Sequence, residues 1–196
     1  MDQSPNIDLV YNVAQLLKER VGSTRYLPIE TSLLTLYDDD GNGMEAHDVK
    51  GEAKVTRLTD GVLVQGDVVA QVALQCSRCL DDIRLPVDAR LEEQFQPTID
   101  VETGHAIKRP DYEQDDNAFT IDPNHLMDMT EPVRQALLVA LPMRPLCRED
   151  CQGLCLVCGA NRNRTDCGHE EEQVDSRWEV LRDLDLADFP ADRNMN

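Results

Sequence analysis

A chain of 196 residues suits one domain, or one domain with a small appendage. Hydrophobic residues make up 41% and aromatic residues only 4%, so the core is aliphatic and modest, and no apolar run approaches the roughly 18 residues that span a bilayer. A formal charge of −19 disfavours extended phosphate binding, because affinity for nucleic acid comes largely from clustered Lys and Arg.

The opening, MDQSPNIDLVYN, is acidic and lacks the basic and apolar regions of a secretion signal, which predicts a cytoplasmic protein. A short amphipathic helix is expected in VAQLLKERVG, ending at Gly22, with a strand-like TRYLPIE after it. Leu33 to Leu36 is apolar, and DDDGNG then breaks the chain into a turn. Asp38, Asp40, Asn42 and Gly43 fit positions of a calcium-binding EF-hand loop. The position that needs a bidentate glutamate is Val49, however, and the flanks read as strands, so the turn is the better reading.

From Val62 to Cys76 the sequence alternates. Val62, Val64, Val68, Ala70, Val72 and Leu74 share one face, against Gln65, Asp67, Gln71 and Gln75 on the other. Asp60-Gly61 is a tight-turn signal that pairs this strand with VKGEAKVTRL before it. After Cys76-Ser-Arg-Cys79, Ile83, Leu85, Val87, Ala89 and Leu91 alternate again, which completes a three-stranded meander. Residues 97 to 124 are acidic and punctuated by Pro97, Gly104, Pro110 and Pro123, and read as an extended, partly mobile loop. A helix follows with Thr130 as cap, Pro132 in its first turn and an apolar stripe of Val133, Ala136, Leu137, Ala140 and Leu141. Pro142 and Pro145 stop it. SRWEVLRDL reads as a further short helix before a fraying acidic tail.

The fold class expected is α+β: an antiparallel β meander or partly open barrel with a few helices and a C-terminal zinc-ribbon-like cysteine-rich segment. The β-rich core domain with its one helix covers residues 1–142, the cysteine-rich segment packed on it 143–184, and the acidic tail 185–196.

Seven cysteines, an odd number, in a reducing compartment argue against a disulfide scaffold. Zinc takes four ligands in a tetrahedron, and a C-x-x-C turn supplies two of them. Cys155-Leu-Val-Cys158-Gly159 has that form. After eight intervening residues Cys167-Gly168-His169 offers a second pair, and together they make one zinc site. Cys76, Cys79, Cys147 and Cys151 are left. With seven cysteines and His169 there are eight ligands, enough for a second closed zinc site, with Cys76 emerging from the buried face of its strand. Spacing does not fix the partition: a mixed set in which Cys147 or Cys151 joins Cys155 and Cys158 stays open. Arg78, Arg144, Arg148, Arg162 and Arg164 flank these positions, and offset of thiolate charge is a simpler role for them than phosphate contact. Saturating thiolate ligation leaves no open metal position for hydrolysis, and CSRC bridges antiparallel strands rather than opening a helix as a redox motif does, so no catalytic residue is assigned.

LQCSRCLDDIRLPVDARLEEQF, an acidic loop, a helix running into LPMRPLC and then DCQGLCLVCGANRN together resemble the YceD family, the large-ribosomal-RNA accumulation proteins, from about Val49 to Leu184. Two positions depart from the pattern: Leu156 stands where relatives usually have proline, and Cys167-Gly168-His169 where many have C-x-C. The resemblance implies a non-enzymatic role in 23S ribosomal RNA accumulation or processing and large-subunit biogenesis. It implies as partner a large-subunit ribosomal protein or assembly intermediate. The acidity fits a basic partner, with eight acids against two bases between Asp100 and Asp128. Contact with precursor 23S RNA would fall to the cysteine-rich tail, where four arginines face three acids from Arg144 to His169. The competing readings are a zinc-ribbon nucleic-acid-binding regulator and a metal- or thiol-dependent enzyme.

Overall fold

Four long strands, each of 14 to 16 residues, carry the fold. They are seen in a computed structural model that describes residues 9–37, 41, 43–107 and 118–169. In chain order the elements are β1 (Val10–Asn12), α1 (Ala14–Lys18), β2 (Thr24–Tyr37), β3 (Gly43–Arg57), β4 (Val62–Gln75), β5 (Asp82–Pro97), β6 (Phe119–Ile121), β7 (Leu126–Asp128) and α2 (Thr130–Ala140). They form one seven-stranded sheet in the order β1-β7-β6-β5-β4-β3-β2. No helix among the described residues is long and apolar enough to cross a membrane. The chain divides into two compact units, Met1–Cys151 and Gln152–Asn196.

The period-two pattern fixes the faces of β4 and β5. Val62, Val64, Val68, Ala70 and Val72 are buried, and Val87, Ala89, Leu91 and Phe95 oppose them from β5. The sheet curls into a half-barrel. Although β1 and β2 lie at opposite edges of the strand order, the Tyr11 hydroxyl on β1 donates to the Pro28 carbonyl on β2. Helix α2 fills the concavity with Val133 and Leu137, and Arg134 Nε donates to the Thr35 carbonyl of β2 at 2.9 Å. Curvature has a local cause. β3 carries a bulge between His47 and Lys50, with Asp48 at φ +51°. Beyond it Gly51 and Gly66 let β3 and β4 approach so closely that a Cβ on Gly66 would lie 2.3 Å from the Glu52 carbonyl oxygen.

Several expectations are corrected. The amphipathic helix ends at Lys18, not at Gly22, where φ is +91°. TRYLPIE and Leu33 to Leu36 belong to one strand, β2, whose Pro28 is tolerated because β2 is an edge strand. The sheet is not purely antiparallel. β6 lies within the expected loop and pairs parallel to the end of β5, which the long connection after Pro97 permits. Thr130 does not cap α2: the Asp128 carboxylate accepts the Thr130 N–H at 2.8 Å, and the Thr130 hydroxyl is buried without a hydrogen-bond partner. Asp38, Asp40, Asn42, part of the acidic loop, SRWEVLRDL and the acidic tail lie outside the described residues.

Candidate metal centres

The first group of cysteines forms where the β4–β5 hairpin turns. Leu74 and Cys76 share the inward parity of β4, so the strand's own register delivers Cys76 to the interior, where it is fully buried. The turn is a knuckle: the Leu80 N–H donates to the Cys76 carbonyl at 3.0 Å and the Cys76 N–H to the Asp81 carbonyl at 2.9 Å. Closing it needs Leu80 at φ +60°, a conformation costly for a residue with a Cβ. α2 ends against Pro142, and the segment after it returns to the knuckle. Pro145 accepts both the N–H (2.8 Å) and the hydroxyl (3.0 Å) of Ser77, and an Arg78 nitrogen donates to the carbonyls of Glu149 (3.4 Å) and Cys151 (2.9 Å). These contacts carry Cys147 and Cys151 to Cys79 and Cys76. Sγ–Sγ distances are 3.7 Å for Cys79–Cys147 and 3.8 Å for Cys76–Cys151. Ile83 and Leu146 pack against the three buried cysteines, Cys76, Cys79 and Cys151.

The second group is local to the second unit. Its frame is a bridge between Leu154 and Asn161, with the Arg162 N–H donating to the Gly153 carbonyl at 2.9 Å and the Gln152 N–H to Asn163 Oδ1 at 2.8 Å. The knuckle repeats the first bond for bond: the Gly159 N–H donates to the Cys155 carbonyl (2.8 Å) and the Cys155 N–H to the Ala160 carbonyl (2.8 Å). Gly159, at φ +72°, occupies the position Leu80 holds in the first knuckle. A second turn, with the Gly168 N–H on Asp166 Oδ1 at 3.0 Å and Gly168 at φ +66°, brings up Cys167 and His169. Cys155 is buried, Cys167 is half-buried, and Cys158 and His169 are exposed.

In each group the four ligand atoms lie within 4.8 Å of one another. Four sulfurs about 2.3 Å from a central zinc stand about 3.8 Å apart at tetrahedral angles, against about 2.05 Å for a disulfide, so the distances suit a metal and not a cystine. The donor sets, four thiols in one group and three thiols with an imidazole in the other, fit a soft or borderline tetrahedral ion. Electrostatics agree with geometry. The backbone N–H of Cys79, helped by those of Cys147 and Arg78, bonds the Cys76 sulfur and brings its pKa down to about 6 despite burial. The N–H groups of Cys158 and Val157 do the same for Cys155, also to about 6. Cys79 accepts from the Asp81 N–H, but burial and the crowding Cys76, Cys147 and Cys151 thiols push it up to about 12. Burial raises Cys147, and burial with the Cys155 and Cys167 thiols raises Cys158 against the Ala160 N–H. Each knuckle thus prepares one thiolate and crowds others that a dication would relieve.

The mixed partition left open by spacing is not what the fold assembles: Cys147 and Cys151 stand with Cys76 and Cys79, while Cys155 and Cys158 stand with Cys167 and His169. Sequence reasoning gave Arg78 only the role of offsetting charge and missed that it pins the first group, together with Ser77 and Leu80. The signal was present in the parallel between C-S-R-C-L-D and C-L-V-C-G-A.

A half-barrel sheet and two knuckle-based groups able to hold a metal define a small β-protein with two candidate metal centres. The family described as large ribosomal RNA subunit accumulation protein YceD matches residues 64–185, a span that contains all eight of these side chains. The chain belongs to the YceD family. Uncharacterized proteins of Mycobacterium tuberculosis and Mycobacterium bovis are each 34% identical to it over 133 residues, which are 68% of this chain and 60% of theirs. An uncharacterized protein of Mycobacterium leprae is 28% identical over 139 residues, 71% of this chain and 60% of its own. The matched region thus spans about 60% of the length of these relatives. No solved structure matches the chain.

Proposed function

We propose that this protein is a cytoplasmic, non-enzymatic factor in 23S ribosomal RNA accumulation and large-subunit biogenesis, with structural zinc in both thiolate groups. The observation that carries this reading is the family match across residues 64–185, whose description names large ribosomal RNA subunit accumulation. The donor sets support structural metal: four protein ligands per site leave no position for a reactive water. In the first group zinc would join the hairpin tip to the segment after α2, ligands 68 to 75 residues apart in sequence. In the second it would hold the cysteine-rich segment in a zinc-ribbon-like form.

Charge guides the choice of partner. With a formal charge of −19, the surface favours basic ribosomal proteins over bare RNA. Arg78 is engaged with two backbone carbonyls and Arg148 pairs with Asp150 at 3.3 Å, which supports local roles for both, a clamp and a charge pair, rather than phosphate contact. Affinity capture from cells, with and without chelator, tests the proposal by reading bound RNA and bound protein together. Large-subunit proteins or precursor 23S RNA should be recovered from untreated cells and lost with chelator. Recovery of neither would refute the assembly role.

A further inference from the structure

We propose that the two thiolate groups are not equivalent: the Cys155–Cys158–Cys167–His169 group is an exchangeable metal site, and the Cys76–Cys79–Cys147–Cys151 group a permanent one. The inference rests on the reading of both groups as metal sites and adds that the second unit's knuckle responds to metal supply. Its basis is how each group is held and covered.

A chelator removes a metal from a closed site by reaching it while the protein ligands leave one at a time, so the rate depends on access and on what must move first. In the first group three of four sulfurs are buried, and Ile83 and Leu146 cover them. Ser77 and Arg78 clamp the two ligand-bearing segments through backbone carbonyls. Withdrawing Cys147 or Cys151 requires pulling that segment off the hairpin tip. In the second group all four ligands come from fifteen consecutive residues, three are not buried, and no buried apolar cluster among the described residues includes any of them. Its Leu156 and Val157 point to solvent, so the knuckle opens without exposing a core. Loss of this metal frees the Cys155–His169 segment and leaves the half-barrel intact.

The test uses the full chain loaded with zinc, challenged with a chromophoric chelator and followed by metal release. Two equivalents should leave in two phases whose rates differ by about tenfold or more, since only the slow one awaits local unfolding. Cobalt in place of zinc identifies the sites: the ion lost first should carry the spectrum of three sulfurs and one nitrogen, the retained one that of four sulfurs. Cys158→Ser should abolish the fast phase alone. His169→Cys should slow it and convert its cobalt spectrum to the four-sulfur type, a gain that misfolding does not mimic. Near-ultraviolet circular dichroism should hold through the fast phase and change in the slow one. Two equivalents leaving in one phase, or a four-sulfur ion leaving first, would overturn the inference while the metal reading stands. A purified chain with no bound metal would overturn both.

Discussion

Gly159→Ala tests the knuckle geometry with the least collateral change. Gly159 sits at φ +72°, and a Cβ built there meets no atom within 4 Å beyond its chain neighbours, so no clash enters the effect. Holding a residue with a Cβ in the left-handed region costs about 1–2 kcal/mol. The stiffer unfolded chain of alanine offsets about 0.4–1 kcal/mol of that. A net loss of about 1 kcal/mol follows, or about fivefold in an equilibrium constant. The strain falls on the turn that aims the N–H groups of Val157 and Cys158 at the Cys155 sulfur, so it appears in metal affinity. Competition against a chromophoric chelator should show the second site weakened about fivefold and the first unchanged. Leu80→Gly is the converse at the matching position, with φ +60°. Relief of about 1–2 kcal/mol is there opposed by glycine's entropy, about 0.5–1 kcal/mol, and by lost contact of a half-exposed side chain, so the first site should change by less than about fivefold. An unaltered second site in Gly159→Ala, or an equal weakening of the first in Leu80→Gly, would refute the equivalence of the knuckles.

Phe95 is 1% exposed and stacks at 5.4 Å on Phe119, so Phe95→Ala should lower unfolding free energy by about 3–5 kcal/mol, read from urea midpoints at constant slope. Gly66→Val places a Cβ against the main chain of Glu52 and Ala53, which side-chain rotation does not relieve; destabilisation of about 3 kcal/mol or more is expected, measured the same way. Metal binding should release protons at pH 7. Cys76 and Cys155, at about 6, are largely thiolates there, whereas Cys79, at about 12, and the raised Cys147 and Cys158 are thiols that must ionise on binding. Apparent affinity should therefore rise with pH and fall as pH drops through 6. Calorimetry in buffers of different ionisation enthalpy checks the count. In the metal-free chain the two depressed groups contribute stability that is complete above their ordinary value near 9 and lost as pH falls through about 6.

Much of the half-barrel could be read from period-two alternation, because β4 from Val62 to Val72 and β5 from Val87 to Leu91 bury alternate residues on one face. β1, β6 and β7 could not: three residues carry no period, and their pairing depends on partners far away in sequence. TRYLPIE and Leu33 to Leu36 look like separate pieces because the polar Thr31-Ser32 between them carries no strand signal, and only the pairing with β3 joins them into β2, with Pro28 harmless at the sheet edge. Thr130 has the residue type of a cap, yet the N-cap position falls on Met129, which offers no side-chain acceptor, and the Asp128 carboxylate takes the Thr130 N–H from outside the helix. The candidate ligands were legible from type and spacing. Their partition was not, since spacing says nothing of where a segment folds back; Ser77 looks like an ordinary surface residue in sequence and Arg78 like a charge beside the ligands, and neither announces the bonds to Pro145, Glu149 and Cys151.

The most direct measurement of the central claim is the ratio of 23S to 16S ribosomal RNA in cells lacking this protein, complemented by the native chain or by Cys79→Ser with Cys155→Ser. Loss of the protein should lower the ratio and raise 23S precursors, the native chain should restore both, and the double variant should not. A ratio unchanged by loss of the protein would contradict the assembly role, and full rescue by the double variant would contradict the need for its metal centres.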